Sequence, residues 1–147
     1  MRITLATLFL FIATRAIAPD IETIVIVETE PVNIYERLMM AVLLVESGGD
    51  TLAYNAFENA YGPFQIRPIR LVDYNRRTGK SYVMRDCFKM DVSREIFLYY
   101  ARSLGSDYEK IAKRWNGSGA KTIEYWDKVR AKLELQEKNL LPMKMPG

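Results

Sequence analysis

The chain has no histidine and a single cysteine, Cys87, among its 147 residues. The missing histidine removes cysteine–histidine and serine–histidine catalysis together, and with them any metal site built on imidazole. One cysteine cannot form an internal disulfide, and Cys87 reads as a small buried hydrophobe rather than a nucleophile. Long apolar runs are also scarce. Ile3 to Ala13 is an apolar run of eleven residues broken only by Thr4 and Thr7, and it covers ~17 Å as a helix against a hydrocarbon core of ~30 Å. That is too short for a stable membrane anchor.

What is present at the start fits a secretory signal instead. Arg2 precedes the apolar run, and Ala16-Ile17-Ala18 follows it with the small-x-small spacing of a cleavage site. Residues 1–18 are therefore expected to be a signal peptide of an exported, periplasmic or secreted protein. No cysteine stands directly after the run, so lipid attachment is not expected. Losing Arg2 and Arg15 lowers the basic residues from 21 to 19 against 18 acidic ones, which takes the net charge from +3 to about +1. Nucleic-acid binders carry a clustered basic face, so nucleic acid is excluded as an expected partner.

Residues 19–32, with Ile24-Val25-Ile26-Val27 flanked by acids, read as an N-terminal arm or linker that Pro31 closes. Residues 33–136 form the expected domain, and 137–147 a C-terminal tail. The first helix is expected from Asn33 as N-cap through Leu38, Val42 and Val45, stopped by Gly48-Gly49. Pro68 and Gly79 bound a second helix, Ile69–Arg77, and an irregular connection follows over Lys80–Met90. Asp91 caps a third helix, Val92–Leu104. Ser106-Asp107-Tyr108-Glu109 matches a capping box opening a fourth helix, which ends at Asn116-Gly117. A fifth runs from Thr122 to about Gln136, with Ile123, Trp126, Val129 and Leu133 on one stripe. The fold class is mainly α, with about five helices and little or no sheet.

Carboxylates, tyrosines and lysines are what remain for chemistry. Glu46 lies in the last turn of the first helix, where the helix dipole disfavours a negative charge and tends to keep the proton on the acid. Val42-Leu43-Leu44-Val45 and the aromatics Tyr61 and Phe64 supply apolar surroundings that would act in the same direction. A protonated carboxyl can donate to the leaving oxygen of a glycosidic bond. Ser47 can hold the carboxylate or the following loop by a hydrogen bond, and Gln65 offers a donor and an acceptor to a sugar. No metal and no other cofactor is required by this chemistry.

The order and spacing of these groups carry a resemblance. Glu46-Ser47, then Gly62-Pro63-Phe64-Gln65-Ile66 sixteen residues later, then Trp115-Asn116-Gly117 with Tyr125 beyond, resemble the soluble lytic transglycosylase family of the lysozyme-like superfamily. The likeness runs from about Tyr35 to Val129. Pro63 stands where that family has leucine, and Arg114-Trp115 where it has Ala-Tyr. The resemblance implies a lysozyme-like helical domain that cuts the β-1,4 bond between N-acetylmuramic acid and N-acetylglucosamine in peptidoglycan glycan strands. Glu46 would be the sole catalytic acid and base, and Ser47, Tyr61, Phe64, Gln65, Tyr100 and Asn116 would bind substrate or support the site. Tyr100 matches the family's helix-three tyrosine and could lean on Glu46. Tyr125 and Trp126 read as core or groove wall, with core preferred.

Two other readings stay open. A hydrolase needs a second carboxylate, for which Asp50, Glu58 and Asp73 are the candidates. A non-catalytic wall-binding or secreted interaction protein would keep the fold alone. A small wall-cutting domain suits a conjugation, secretion or phage apparatus as well as wall turnover.

Overall fold

The computed structural model describes residues 34–140, and side chains through residue 138. The expectations for the signal peptide, the arm, the Asn33 cap and the tail beyond residue 140 lie outside the described residues. Within them the chain is mainly α. Its elements are α1 (Glu36–Glu46), the short strands β1 (Tyr54–Asn55) and β2 (Ala60–Tyr61), α2 (Pro68–Thr78), a 3₁₀ turn (Met84–Phe88), α3 (Met90–Ser103), α4 (Tyr108–Asn116) and α5 (Lys121–Leu140).

α1 buries Leu38, Met39, Ala41, Val42 and Leu43. Its end is set by Gly48 and Gly49, which take φ values of 66° and 93°, a region glycine enters without a Cβ penalty. Glu46 is thereby fixed as the last helical residue. The loop expected after it holds a small antiparallel hairpin, with Tyr54 opposite Tyr61 and Asn55 opposite Ala60. Gly62 then turns the chain at φ 74°, and a Cβ there would lie 1.8 Å from the Cys87 carbonyl oxygen. The 3₁₀ turn within the expected irregular connection is seated against that glycine.

Pro68 opens α2, where its missing N–H costs nothing, and Gly79 ends it at φ 73°. α3 begins before Asp91, which lies in the first turn and not at the cap. α4 is capped by Asp107, whose side chain accepts from the Lys110 amide at 3.0 Å, so the capping residue is one position later than the Ser106 box implies. α5 is longer than expected, and its buried face is Thr122, Tyr125, Val129 and Leu133, whereas Ile123 is exposed and Trp126 half-buried. The expected stripe and the observed one share Val129 and Leu133 and part company only in the first turns. The core centres on Phe64, Phe97 and Trp115. The Phe64 and Phe97 rings stack at 5.1 Å, and Trp115 meets Phe97 edge-on at 5.0 Å.

Candidate active site

Glu46 is partly buried at the C-terminal end of α1, and its Oε1 accepts a hydrogen bond of 2.7 Å from the Tyr125 hydroxyl of α5. Burial pushes the carboxyl up to about 7 from its ordinary 4.5. The Tyr125 bond and the charges of Arg70 and Arg67 pull the other way, while the charge of Glu58 adds to the rise. Burial wins because neither arginine bonds the carboxylate. The Tyr125 hydroxyl is itself pushed well above the usual phenol range, first by burial and then by the neighbouring carboxylate, so it stays a donor.

Both arginines are committed to the end of α4. Arg70 Nη2 donates to the Trp115 carbonyl at 2.7 Å, and its guanidinium stacks 3.9 Å over the Trp115 ring. Arg67 Nη2 donates to the Asn116 carbonyl at 2.9 Å. A helix leaves its last carbonyls without intrahelical partners, and here two guanidiniums satisfy them. Arg67 also faces Glu58 of the hairpin at 3.8 Å. The hairpin, the start of α2 and the end of α4 thus meet around Arg67, and through Arg70 the same cluster reaches Glu46.

Ser47 acts on the loop rather than on the carboxylate. Its hydroxyl donates to the Pro63 carbonyl at 2.9 Å and accepts from the Gly49 amide at 3.1 Å. That bond ties the end of α1 to the Gly62–Gln65 turn. Gln65 occupies a left-handed backbone conformation at φ 49°, unusual for a residue with a Cβ and a recurrent feature of functional turns. Its Nε2 donates to the carbonyls of Gly62 at 2.9 Å and Ala53 at 3.3 Å. Among the described residues no group donates to its amide oxygen.

Other expected residues are placed differently. Tyr100 does not lean on Glu46. Its hydroxyl donates to Asp73 Oδ2 at 2.9 Å and to the Arg70 carbonyl at 3.2 Å, so it braces α2, and the tyrosine on the carboxyl is Tyr125, read from sequence as core. Phe64 is 1% exposed and stacked on Phe97. It backs the site from the core and cannot touch a sugar. Tyr61 is half-buried, its ring 4.8 Å from Tyr54 and 5.7 Å from Phe88. Asn116 is the last residue of α4, half-buried, and joined to the cluster through its carbonyl. Cys87 is buried, and burial pushes its thiol up to about 12, which leaves it unreactive.

Arg67 and Arg70 are the groups that sequence reasoning passed over, whereas Glu58 was a candidate carboxylate without a partner and Tyr125 a residue without a role. A signal existed for the arginines, since two positive charges beside the N-terminus of a helix oppose its dipole and call for another reason to be there. Among the described residues no cluster of three or more His, Cys, Asp or Glu could hold a metal ion, and no helix is long and apolar enough to cross a membrane. No protein-family model, no curated protein and no solved structure matches the chain.

Proposed function

We propose that this protein cleaves the β-1,4 glycosidic bond between N-acetylmuramic acid and N-acetylglucosamine in peptidoglycan, with Glu46 as the general acid. The acid role rests on one observation, a carboxyl raised to about 7 by burial and held by a tyrosine hydroxyl, and the choice of bond on the resemblance of the Glu46-Ser47 and Gly62–Ile66 motifs. Near neutral pH a large share of such a group keeps its proton and can act as the acid, and the carboxylate left after that transfer is the base of the second step. Tyr125 donates to Oε1, which directs the transferable proton to Oε2.

In the transglycosylase form of the reaction, Glu46 gives its proton to the leaving oxygen as the glycosidic bond breaks. The N-acetyl carbonyl of the muramic sugar stabilises the developing cation. The Glu46 carboxylate then takes the proton from the 6-hydroxyl, whose oxygen closes on the anomeric carbon to give a 1,6-anhydro ring. The Gln65 amide oxygen and the Asn116 side chain are the groups that the resemblance offers for hydroxyl or N-acetyl contacts. The substrate lies outside the cytoplasmic membrane, so the reading entails an exported chain. A conjugation, secretion or phage apparatus is a fitting setting for it.

One observation favours hydrolysis as a second reading. Glu58 sits beside the cluster, paired with Arg67, and its charge acts on Glu46. A second carboxylate so placed can activate water or stabilise the cation. Digestion of purified sacculi, with the products weighed by mass spectrometry, separates the two. Anhydro-ended muropeptides are expected from the first reaction and reducing ends from the second, and intact sacculi after digestion would overturn both.

A further inference from the structure

A cavity of about 740 Å³ lies between α2, α3 and α4, and Glu46 is not among the residues that line it. Tyr100 and Trp115 give it an aromatic wall, and the guanidiniums of Arg70, Arg76, Arg77 and Arg114 surround it with a single carboxylate, Asp73. Asp73 is already occupied. Arg76 and Arg77 each bond it at 2.7 Å and Tyr100 donates to it at 2.9 Å. Two guanidiniums therefore share one anion, and Arg114 is exposed without an ion pair among the described residues. On the lip, Ile69 is 80% and Val72 66% exposed. Surplus guanidinium beside bare aliphatic surface is the complement of a ligand with carboxylates on an aliphatic body.

We propose that this groove is a second binding site, which takes short acidic peptides with free carboxylates. Its occupant is the peptide stem carried by the same wall polymer, an identification that rests on the function proposed above. Arg70 borders both regions, since it lines the groove, stacks on Trp115 and acts on Glu46. A stem held in the groove would keep its glycan strand close to the carboxyl. Chains without carboxylates, or glycan strands stripped of their peptides, would gain nothing from it.

The test uses the full chain carrying Glu46→Gln, which separates binding from turnover. Peptides released from purified sacculi by an amidase are titrated into it by calorimetry. Binding is expected, and Arg114→Glu should weaken it about tenfold, because a guanidinium–carboxylate contact becomes a like-charge pair. Capping the peptide carboxylates as amides should weaken it similarly, and Arg114→Lys should retain most of it. In the active chain, Arg114→Glu should raise KM on peptide-bearing strands and leave cleavage of stripped strands unchanged. No binding, or equal binding by Arg114→Glu and parent, would overturn the site, and equally tight binding of an unrelated acidic peptide would overturn the wall stem as its occupant. Circular dichroism identifies a variant that fails to fold, in which case the amide-capped peptides on the unaltered surface decide. Peptide binding without any glycan cleavage would sink the proposed activity alone, and cleavage without peptide binding would sink the groove alone.

Discussion

Two carboxylates in this molecule have nearly the same neighbours and opposite behaviour. Glu46 accepts from the Tyr125 hydroxyl at 2.7 Å and has Arg70 and Arg67 nearby. Asp73 accepts from the Tyr100 hydroxyl at 2.9 Å and has Arg76 and Arg77 nearby. Yet Glu46 is raised to about 7, and Asp73 is lowered to about 2. What differs is where the guanidiniums are committed. Arg76 and Arg77 bond Asp73 directly, at a side chain that keeps contact with water. Arg70 and Arg67 spend their hydrogen bonds on the carbonyls of α4 and act on Glu46 only through space, so burial decides. The same residue types give a fixed anion in one place and a titrating acid in the other.

The contrast can be broken from either side. The largest effect belongs to Glu46→Gln, which should cut sacculus lysis by at least ~10²–10⁴-fold, the usual worth of general acid–base help, while its circular dichroism stays that of the parent. The same substitution should stabilise the fold at high pH. A carboxyl raised from 4.5 to about 7 binds its proton more tightly when folded, so native stability falls as pH rises from 4.5 through 7. Glu46→Gln escapes that loss and should exceed the parent by up to about 3 kcal/mol at pH 8 in urea unfolding. Below pH 4.5 the advantage should vanish.

Smaller changes test the individual neighbours. Tyr125→Phe removes a bond that pulls the Glu46 carboxyl down, so the alkaline limb of the pH–rate profile should move upward, with a lower rate at the optimum. Glu58→Gln removes a charge that pushes it up, and should move the limb to lower pH. If Glu58 is also the second carboxylate of a hydrolase, that variant loses most of its turnover in addition. Tyr100→Phe should leave the limb where it is, because the Tyr100 hydroxyl serves Asp73. A limb that shifts with Tyr100→Phe and not with Tyr125→Phe would reverse the assignment of the two tyrosines.

The sequence was most informative where local chemistry decides. Gly48-Gly49, Pro68 and Gly79 mark helix ends by backbone freedom or a missing N–H, and α1 and α2 end where those residues stand. The position of Glu46 at a helix terminus follows from that punctuation alone. Long-range pairing was less legible. A helical stripe does not tell which neighbour a helix meets, and in the first turns of α5 it pointed to Ile123 and Trp126 where Thr122 and Tyr125 turn inward, so Tyr125 could not be singled out over Tyr100 by spacing. The 3₁₀ turn at Met84–Phe88 depends on the approach of the Cys87 carbonyl to Gly62, a contact between distant stretches. The resemblance sets Phe64 among the substrate-binding residues, whereas its ring completes the stack on Phe97.

The account depends most on the proton of Glu46, and a carbon-13 NMR titration of that carboxyl reads it directly, with Glu46→Gln identifying the resonance. A midpoint near 7 that rises in Tyr125→Phe is the predicted result. A midpoint at the ordinary 4.5, indifferent to Tyr125, would mean that the carboxyl is solvated and carries no acid chemistry at neutral pH.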